Sequence, residues 1–331
     1  MSAAAHPWYA ERVPLGRSRV TVSRIGLGTA PLGGLFSAVG GREATGTLEA
    51  AWAAGIRYFD TAPHYGAGLA ERRLGAFLTG LGHARADCTV STKVGRLLVP
   101  GESAPGDEDF HGDPGLVRIR DYSADGVHRS LTESLERSGL DAFDIVFIHD
   151  PDEHWKEALT GAYPALARLR AEGAVRAIGV GMNQTAMLTR FVTETDLDCV
   201  LVAGRYSLLD RSAADELLPA CAEREVGVLV GGVFNSGILA NLASDATYDY
   251  APAPEAVRRH ALALSERCAA HGVALAAAAL RFPLRHPAVT GVVVGARSAQ
   301  EITVNVAHAG ATIPEELWTE LDALERERDG S

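Results

Sequence analysis

Eight short apolar segments, rich in β-branched residues, alternate with amphipathic segments along most of the chain. In one amphipathic segment Val127, Leu131 and Leu135 recur at the four-residue spacing of a helix face. Alternating strands and helices indicate parallel strands joined by right-handed crossovers. Eight such units favour a closed (β/α)8 TIM barrel of the α/β class. Strands are predicted near residues 24–29, 56–60, 88–92, 144–148, 175–180, 198–203, 226–231 and 288–294.

Two further elements flank the predicted barrel. The barrel and these two elements together predict a single domain over residues 1–331. Residues 13–23 alternate and predict an N-terminal β-hairpin, and residues 314–326 predict an extra C-terminal helix with a proline in its first turn. Residues 97–122, which are rich in glycine and proline, predict a long irregular loop that covers the substrate. Other helices are predicted near residues 43–54, 69–80, 162–172, 185–193, 213–224, 254–271 and 299–308.

The alternative fold is an open sheet of the Rossmann type, which needs a Gly-x-Gly-x-x-Gly turn after its first strand. The segment Gly26–Gly34 is rich in glycine, but its spacing does not match this turn and Pro31 lies within it. The barrel is therefore the preferred prediction.

Charge and composition restrict the partners of the chain. A net charge of −11 gives no general attraction to nucleic acid or to anionic lipid, so a small-molecule substrate is expected. The sequence contains neither an apolar run long enough for a membrane span nor a secretory signal. Four widely spaced cysteines, without metal-ligand spacing, predict reduced thiols, a cytoplasmic location and no metal site. The oligomeric state stays open.

Four polar residues lie at the ends of three successive predicted strands. Asp60 ends one strand, and Tyr65 lies five positions after Asp60. Lys93 and His149 lie at the ends of the next two strands. Taken singly, the lysine is typical of a solvated charge and the histidine of a capping or core residue. The carboxyl ends of the strands of a barrel meet at one face, where active sites lie. The four residues together therefore predict an active site.

These four residue types form a device for moving a proton to or from a carbonyl or alcohol oxygen. A lysine cation beside Tyr65 lowers the pKa of the phenol by favouring phenolate, and Asp60 holds the lysine in place. His149 donates a hydrogen bond to the same substrate oxygen. Because exchange between carbonyl and alcohol also needs a hydride carrier, a nicotinamide cofactor is expected.

The sequence around these residues resembles the aldo-keto reductase family over essentially the whole chain. The matching segments are Phe59–Ala62, Tyr65-Gly66, Ser91–Gly95 and Ala177–Val180. The resemblance implies that Asp60, Tyr65, Lys93 and His149 are the catalytic tetrad. It also implies that NAD(P)(H) binds across the mouth of the barrel, without a Rossmann fold.

The resemblance carries over less completely to the nicotinamide contacts. Asn183 matches the residue that binds the carboxamide, with one residue inserted before it. Ala203 stands where the family usually has a glutamine, and Gly231 stands where it usually has a stacking tyrosine. Tyr206 or Phe234 is therefore predicted to pack on the nicotinamide, with packing in the core or a loop as the alternative. Further contacts to the cofactor are predicted for Gly28, Thr29, Asp60 and Gly231.

At the end of the eighth strand, Gly295, Arg297 and Ser298 open a helix whose free amides suit the cofactor phosphates. In family members that prefer NADP, an arginine lies four residues before an asparagine that contacts the adenine. Here that asparagine is Asn305 and the earlier position is Glu301. A carboxylate suits a ribose 2′-hydroxyl and repels a 2′-phosphate, so NAD is the predicted cofactor. The nearby Arg297 keeps NADP as an alternative.

Within the family, four segments resemble the aldose 1-dehydrogenases. They are Ser91–Leu98, Asp121–Ser123, Val202–Asp210 and Gly231–Leu239. This resemblance implies oxidation of the hemiacetal carbon of an L-fucose, L-galactose or D-threo type aldose to a lactone. Pyridoxal 4-dehydrogenase resembles the same branch, so a pyridoxal hemiacetal is the first alternative. A general NADPH-dependent aldehyde or ketone reductase and a non-catalytic nucleotide-binding redox sensor are the others.

Several residues are predicted to shape the substrate pocket, each with a structural role as its alternative. Trp8, His64, Phe110 and Asp150 are candidates for its walls. A sugar pocket should also offer several partners for hydroxyl groups, whereas a pyridoxal pocket should offer an aromatic stack. The predicted hydroxyl partners are Asp150, Asp152, Arg205 and Asn235.

Overall fold

Eight of the apolar segments form parallel strands, and the sheet closes on itself as a barrel. A computed structural model describes residues 7–102, 110–111, 115–243 and 245–329. The barrel order is β3, β4, β5, β8, β9, β10, β11 and β14, which confirms the predicted TIM barrel. The strands are β1 (Arg12–Pro14), β2 (Thr21–Ser23), β3 (Ile25–Gly28), β4 (Tyr58–Asp60), β5 (Thr89–Val94), β6 (Arg96–Pro100), β7 (Leu116–Arg120), β8 (Ile145–His149), β9 (Ala177–Met182), β10 (Cys199–Ala203), β11 (Gly227–Gly231), β12 (Thr247–Tyr248), β13 (Ala251–Pro252) and β14 (Val289–Gly295).

The barrel strands are buried on both faces, which explains why they read as continuous apolar runs. Every residue of β8 and β9 is buried. Alternate side chains join two different cores, because successive residues of a strand point to opposite faces. Phe147 and Leu229 belong to the cluster inside the barrel. Their neighbours Val146 and Val228 belong to the larger cluster that includes the surrounding helices.

The N-terminal hairpin, formed by β1 and β2, closes the end of the barrel where the strands begin. Leu15, Val20 and Val22 are fully buried and join the inner cluster. Gly16 has φ +55, and a Cβ at this position would lie 2.3 Å from the backbone nitrogen of Gly227. The chain therefore needs glycine here to approach the start of β11. The predicted hairpin is confirmed.

The helices form the outer layer, and local signals account for their ends. The Ser123 hydroxyl accepts a hydrogen bond from the Gly126 N–H at the start of α3, and Gly139 ends that helix in the left-handed conformation. A π-helical turn, Ala158–Ala162, separates α4 from α5. The helices are α1 (Gly41–Ala53), α2 (Leu69–Gly80), α3 (Ala124–Ser138), α4 (Trp155–Glu157), α5 (Tyr163–Ala171), α6 (Thr185–Glu194), α7 (Leu217–Glu223), α8 (Glu255–Ala270), α9 (Leu275–Arg281), α10 (Ala299–Gly310) and α11 (Glu315–Asp329). The last of these is the predicted extra helix.

The prediction of a wholly irregular loop over 97–122 is wrong. Strands β6 and β7 pair as an antiparallel hairpin outside the barrel, with Arg96 opposite Arg120 and Val99 opposite Val117. The glycines and prolines that suggested a loop lie mostly between the two strands. Residues 103–109 and 112–114 of this segment fall outside the described residues, and its role as a lid stays a prediction.

Within the described ranges, no helix has both the length and the hydropathy needed to cross a bilayer. The same ranges contain no cluster of histidine, cysteine and acidic side chains with the geometry of a metal site. All four cysteines are buried free thiols. The assignment of residues 1–331 to one domain stays a prediction.

Candidate active site

A buried ion pair lies at the carboxyl ends of β4 and β5. The Lys93 ammonium donates to Asp60 Oδ2 at 2.6 Å and to the Thr61 carbonyl at 3.0 Å. The Ser91 hydroxyl donates to the other carboxylate oxygen of Asp60 at 2.7 Å, so both charges are satisfied by hydrogen bonds. Burial favours the neutral amine, but Asp60 and Tyr65 together outweigh it and raise the pKa of Lys93 to about 12. Lys93 is therefore charged at neutral pH.

Tyr65 lies beside this pair, with its ring centroid 4.6 Å from the Lys93 ammonium. Burial of the phenol outweighs the attraction of Lys93 and raises the pKa of Tyr65 to about 12. Lys93 does lower the pKa of Tyr65, as predicted, but sequence analysis did not include the desolvation of the phenol, which is the larger effect. At neutral pH the group is a phenol and can donate a proton.

The turn that carries Tyr65 depends on a close backbone contact. Gly66 has φ +62, and a Cβ there would lie 2.2 Å from the carbonyl oxygen of Gly33. Any larger residue would push this turn away from the loop that follows β3. The tyrosine ring is thus held by the backbone as well as by its neighbours.

His149 completes the cluster at the end of β8. Its ring centroid lies 5.9 Å from that of Tyr65, and the two planes are nearly perpendicular. Burial, with the nearby Arg96 and Lys93 cations, lowers the pKa of His149 well below its usual value, so the imidazole is neutral. The Tyr122 hydroxyl lies 2.7 Å from the carbonyl oxygens of both His149 and Asp150 and holds this strand end. The structure therefore brings all four predicted catalytic residues together.

Three of these residues, Tyr65, Lys93 and His149, line a cavity of about 230 Å³. Phe110 forms part of its wall, and its ring stacks on that of Tyr65 at 5.8 Å with an interplanar angle of 21°. Tyr250, which sequence analysis missed, also lines the cavity, and its ring lies 5.7 Å from that of Phe36. The lining residues are Ala30, Leu35, His64, Tyr65, Lys93, Phe110, His149, Asp150, Gly181, Met182, Asn183, Leu201, Ala203 and Tyr250.

One wall of the cavity is polar because arginines of the β6–β7 hairpin lie beside it. Arg96 Nη1 lies 3.3 Å from His64 Nε2, and Arg96 Nη2 donates to Asp150 Oδ2 at 2.6 Å. Arg118 donates to the carbonyl oxygen of His64 at 2.8 Å. Burial and these two cations lower the pKa of His64 to about 2. Neither arginine was predicted from the sequence, although their alternate positions in β6 and β7 place polar residues on one face.

The family profile described as aldo/keto reductase matches residues 24–326. The chain belongs to the aldo/keto reductase family. It is 46% identical over 310 residues to a D-threo-aldose 1-dehydrogenase of Pseudomonas sp, covering 91% of this chain and 94% of that protein. It is 40% identical over 333 residues to a pyridoxal 4-dehydrogenase of Microbacterium luteolum, covering 94% and 96%. The solved structure of a glycerol dehydrogenase from Gluconobacter oxydans shares the fold, with a TM-score of 0.77, 22% identity and 95% of each chain covered.

Aldo/keto reductases use NAD(P)(H), and the structure places the residues predicted to contact this cofactor at several strand ends. Asn183 is half-buried and lines the cavity just after β9. At Gly181 an added Cβ would meet nothing closer than 3.6 Å, so the absent side chain leaves room beside Lys93. Gly28 and Gly295 pair at the ends of β3 and β14. Thr29 is buried, and its hydroxyl donates to the Asp60 carbonyl at 3.0 Å.

The two aromatic residues predicted to pack on the nicotinamide do not line the cavity. Tyr206 is buried with its ring 5.2 Å from that of Phe282 and 5.9 Å from that of His286. Phe234 is half-buried and contacts the large hydrophobic core. Their packing alternatives are therefore the observed arrangement. Gly231 is buried at the end of β11, and an added Cβ there would lie 3.4 Å from Leu201.

Several predicted substrate contacts also have other partners. The Trp8 indole donates to the Ala309 carbonyl at 3.1 Å, on α10. Arg205 binds both carboxylate oxygens of Asp249 at 2.9 Å. Asp152 accepts a long hydrogen bond from Gln184 at 3.4 Å, and Asn235 donates to the Gly204 carbonyl at 3.2 Å. Of the predicted hydroxyl partners, Asp150 alone is among the residues that line this cavity.

Glu301 binds its own helix terminus. Its carboxylate accepts from the backbone N–H of Arg297 at 2.8 Å and from the Arg297 guanidinium at 3.0 Å. The Ser298 hydroxyl accepts from the Glu301 N–H at 3.2 Å, so α10 begins with a serine cap. Asn305 lies one turn further on and lines a second, small cavity with Ile302 and other apolar residues between α10 and the barrel.

Proposed function

We propose that the protein is an aldose 1-dehydrogenase that oxidises the hemiacetal carbon of a sugar to a lactone, with NAD as the preferred cofactor. The observation that carries the proposal is the cluster of Asp60, Lys93, Tyr65 and His149 at the base of a cavity with a polar wall. The 46% identity to a D-threo-aldose 1-dehydrogenase supports the substrate class.

The proposed mechanism assigns one task to each residue. Bound NAD supplies the acceptor for the hydride that leaves the hemiacetal carbon. Tyr65, as phenolate, takes the proton of the hemiacetal hydroxyl while the carbon–oxygen bond becomes the lactone carbonyl. Lys93 stabilises that phenolate, and Asp60 holds Lys93. Neutral His149 donates a hydrogen bond to the reacting oxygen and orients it.

Asn183 and the N-terminus of α10 are the proposed holding points for the cofactor. The Arg297 guanidinium is already paired with Glu301, so little positive charge remains for a 2′-phosphate. The Glu301 carboxylate would also repel a 2′-phosphate directly. Both effects support a preference for NAD over NADP.

The test is the initial rate of NADH formation with L-fucose, L-galactose and D-arabinose, with NADP⁺ assayed in parallel. We expect turnover of at least one sugar and a higher kcat/KM with NAD⁺ than with NADP⁺. No sugar oxidation, together with rapid NADPH-dependent reduction of simple aldehydes, would show that the protein is a general reductase. No turnover in either direction would favour the non-catalytic sensor.

Pyridoxal is the second candidate substrate, supported by one feature of the cavity. Phe110 presents an aromatic ring that is stacked on Tyr65 in the cavity wall, which suits a flat pyridine ring. The 40% identity to a pyridoxal 4-dehydrogenase points the same way. Pyridoxal belongs in the same panel, and oxidation of pyridoxal without any sugar would select this alternative.

A further inference from the structure

The polar wall contains two residues that lie outside the four-residue cluster but adjoin it, and Asp150 Oδ2 lies 3.5 Å from His149 Nε2. His64 and Asp150 both line the cavity next to His149, and both are held by the two arms of the Arg96 guanidinium. Arg96 reaches them from the hairpin outside the barrel. One planar group thus sets the positions of two cavity residues that come from different barrel strands.

The contact with Arg96 determines which ring nitrogen of His64 carries the proton. A guanidinium has only donors, so His64 Nε2 must accept and the ring proton lies on Nδ1. Nδ1 is buried and has no hydrogen-bond partner among the described residues. Nδ1 is also closed off from the cavity, so the polar atoms of this wall that a ligand can reach belong to Asp150.

Asp150 offers a hydrogen-bond acceptor to the cavity. Arg96 holds Oδ2, whereas Oδ1 has no hydrogen bond to any described part of the protein, and the side chain is 31% exposed. Asp150 has φ +42, which is unusual for a residue other than glycine. The Asp150 N–H donates to the Gly181 carbonyl at 3.0 Å, and this hydrogen bond holds the strained backbone in place.

We propose that Asp150 forms a hydroxyl-binding subsite beside His149, with Arg96 as the residue that positions its carboxylate. Asp150 Oδ1 accepts the proton of the substrate hydroxyl, and His64 forms the adjoining part of the wall. A hydroxyl on the carbon next to the reacting carbon fits a site that adjoins His149. The inference rests on the proposed function, since His149 must bind the reacting oxygen. It names 2-hydroxy aldehydes, including aldoses, as the preferred substrate class.

The test compares two aldehydes that differ by a hydroxyl and a methyl group. Glycolaldehyde carries the 2-hydroxyl and propionaldehyde carries a methyl in its place, and both are reduced with NADH. We expect Asp150→Gly and Arg96→Met to lower the ratio of kcat/KM for glycolaldehyde to that for propionaldehyde by about ten- to a hundredfold, the effect of losing a charged hydrogen bond. Glycine accepts the positive φ of residue 150, so this variant adds no backbone strain.

Arg120→Met is the matched control. Arg120 lies opposite Arg96 in the same hairpin, but it is exposed and pairs with Glu153 outside the cavity. Its substitution should leave the ratio unchanged. If Arg96 acts through Asp150, the double variant Arg96→Met/Asp150→Gly should lower the ratio no further than Asp150→Gly does.

The two proposals fail in different ways. Sugar oxidation with an unchanged ratio in Asp150→Gly and Arg96→Met would overturn the subsite and leave the proposed function intact. A lowered ratio without oxidation of any sugar would support the subsite and contradict the aldose assignment. Inability of the wild-type enzyme to oxidise any sugar or to reduce either aldehyde would overturn both.

Discussion

Tyr65 shows how a single residue can be shaped by opposing effects. The Lys93 cation stabilises phenolate, but complete burial disfavours it more, and the pKa rises from 10.0 to about 12. The two histidines of the cavity, His64 and His149, are both neutral because burial and nearby cations lower their pKa values. Neither histidine is therefore expected to titrate near neutral pH, and the proposed proton acceptor is the tyrosine.

A pH dependence follows from these shifts. Oxidation needs the phenolate, whose population increases with pH until the pKa of about 12 is reached. We expect kcat/KM for sugar oxidation to rise from about pH 6 to about pH 10 without levelling off near the usual pKa of histidine. The measurement is a pH–rate profile with NAD⁺. A plateau near pH 7 would contradict the assigned proton acceptor.

The Tyr65→Phe variant should lose turnover by several orders of magnitude. It should still bind NADH, and a change in NADH fluorescence on binding measures this.

The first turn of α10 links the stability of a helix to the choice of cofactor. Glu301 sits where a capping-box acid belongs, three residues after the Ser298 cap, and it satisfies a backbone N–H as well as the Arg297 guanidinium. The same carboxylate thus completes the helix start and neutralises a cation beside the expected phosphate position.

Removing this negative charge should change the preference between the two cofactors. In Glu301→Gln the amide oxygen can still accept from the backbone, but the Arg297 guanidinium becomes available to a 2′-phosphate. We expect the ratio of kcat/KM with NADP⁺ to that with NAD⁺ to rise about tenfold. The double variant Glu301→Gln/Arg297→Gln should lose most of this gain. A gain that persists in the double variant would mean that Arg297 is not the group responsible.

The molecule separates its stabilising end from its reactive end. The N-terminal hairpin closes the barrel where the strands begin, and the proposed catalytic residues lie where the strands end. This arrangement is general for barrels, in which residues at the amino ends of strands contribute to stability. Mutations at the two ends should therefore have different consequences.

Leu15→Ala tests this separation. Leu15 is fully buried under the barrel, so its truncation should lower the free energy of unfolding by about 2–5 kcal/mol. Leu262 is 52% exposed on α8, and Leu262→Ala should change that free energy by less than about 1 kcal/mol. Denaturant unfolding measures both, and kcat/KM of the folded enzymes should stay the same. Equal losses in the two variants would show that the hairpin does not contribute to the core.

The convergence of Asp60, Lys93 and His149 was predictable because parallel strands of one barrel all end at the same face. Their order along the chain and the apolar runs before them were enough to bring them together. The barrel itself followed from eight strand–helix units, and the N-terminal hairpin followed from alternation. These are local patterns, and no knowledge of distant contacts is needed to interpret them.

Other features depended on contacts that sequence spacing does not encode. Arg96 lies just after a strand, but its guanidinium joins His64 to Asp150 only because the β6–β7 hairpin brings it beside both residues. Tyr206 and Tyr250 both occupy irregular segments, and the chain path buries the first beside Phe282 and brings the second to the cavity. The pKa of Tyr65 likewise depends on how much water the whole fold excludes. Motifs and strand ends were set by the sequence alone, whereas side-chain partners and desolvation were decided by tertiary structure, because both arise from residues far apart in the chain.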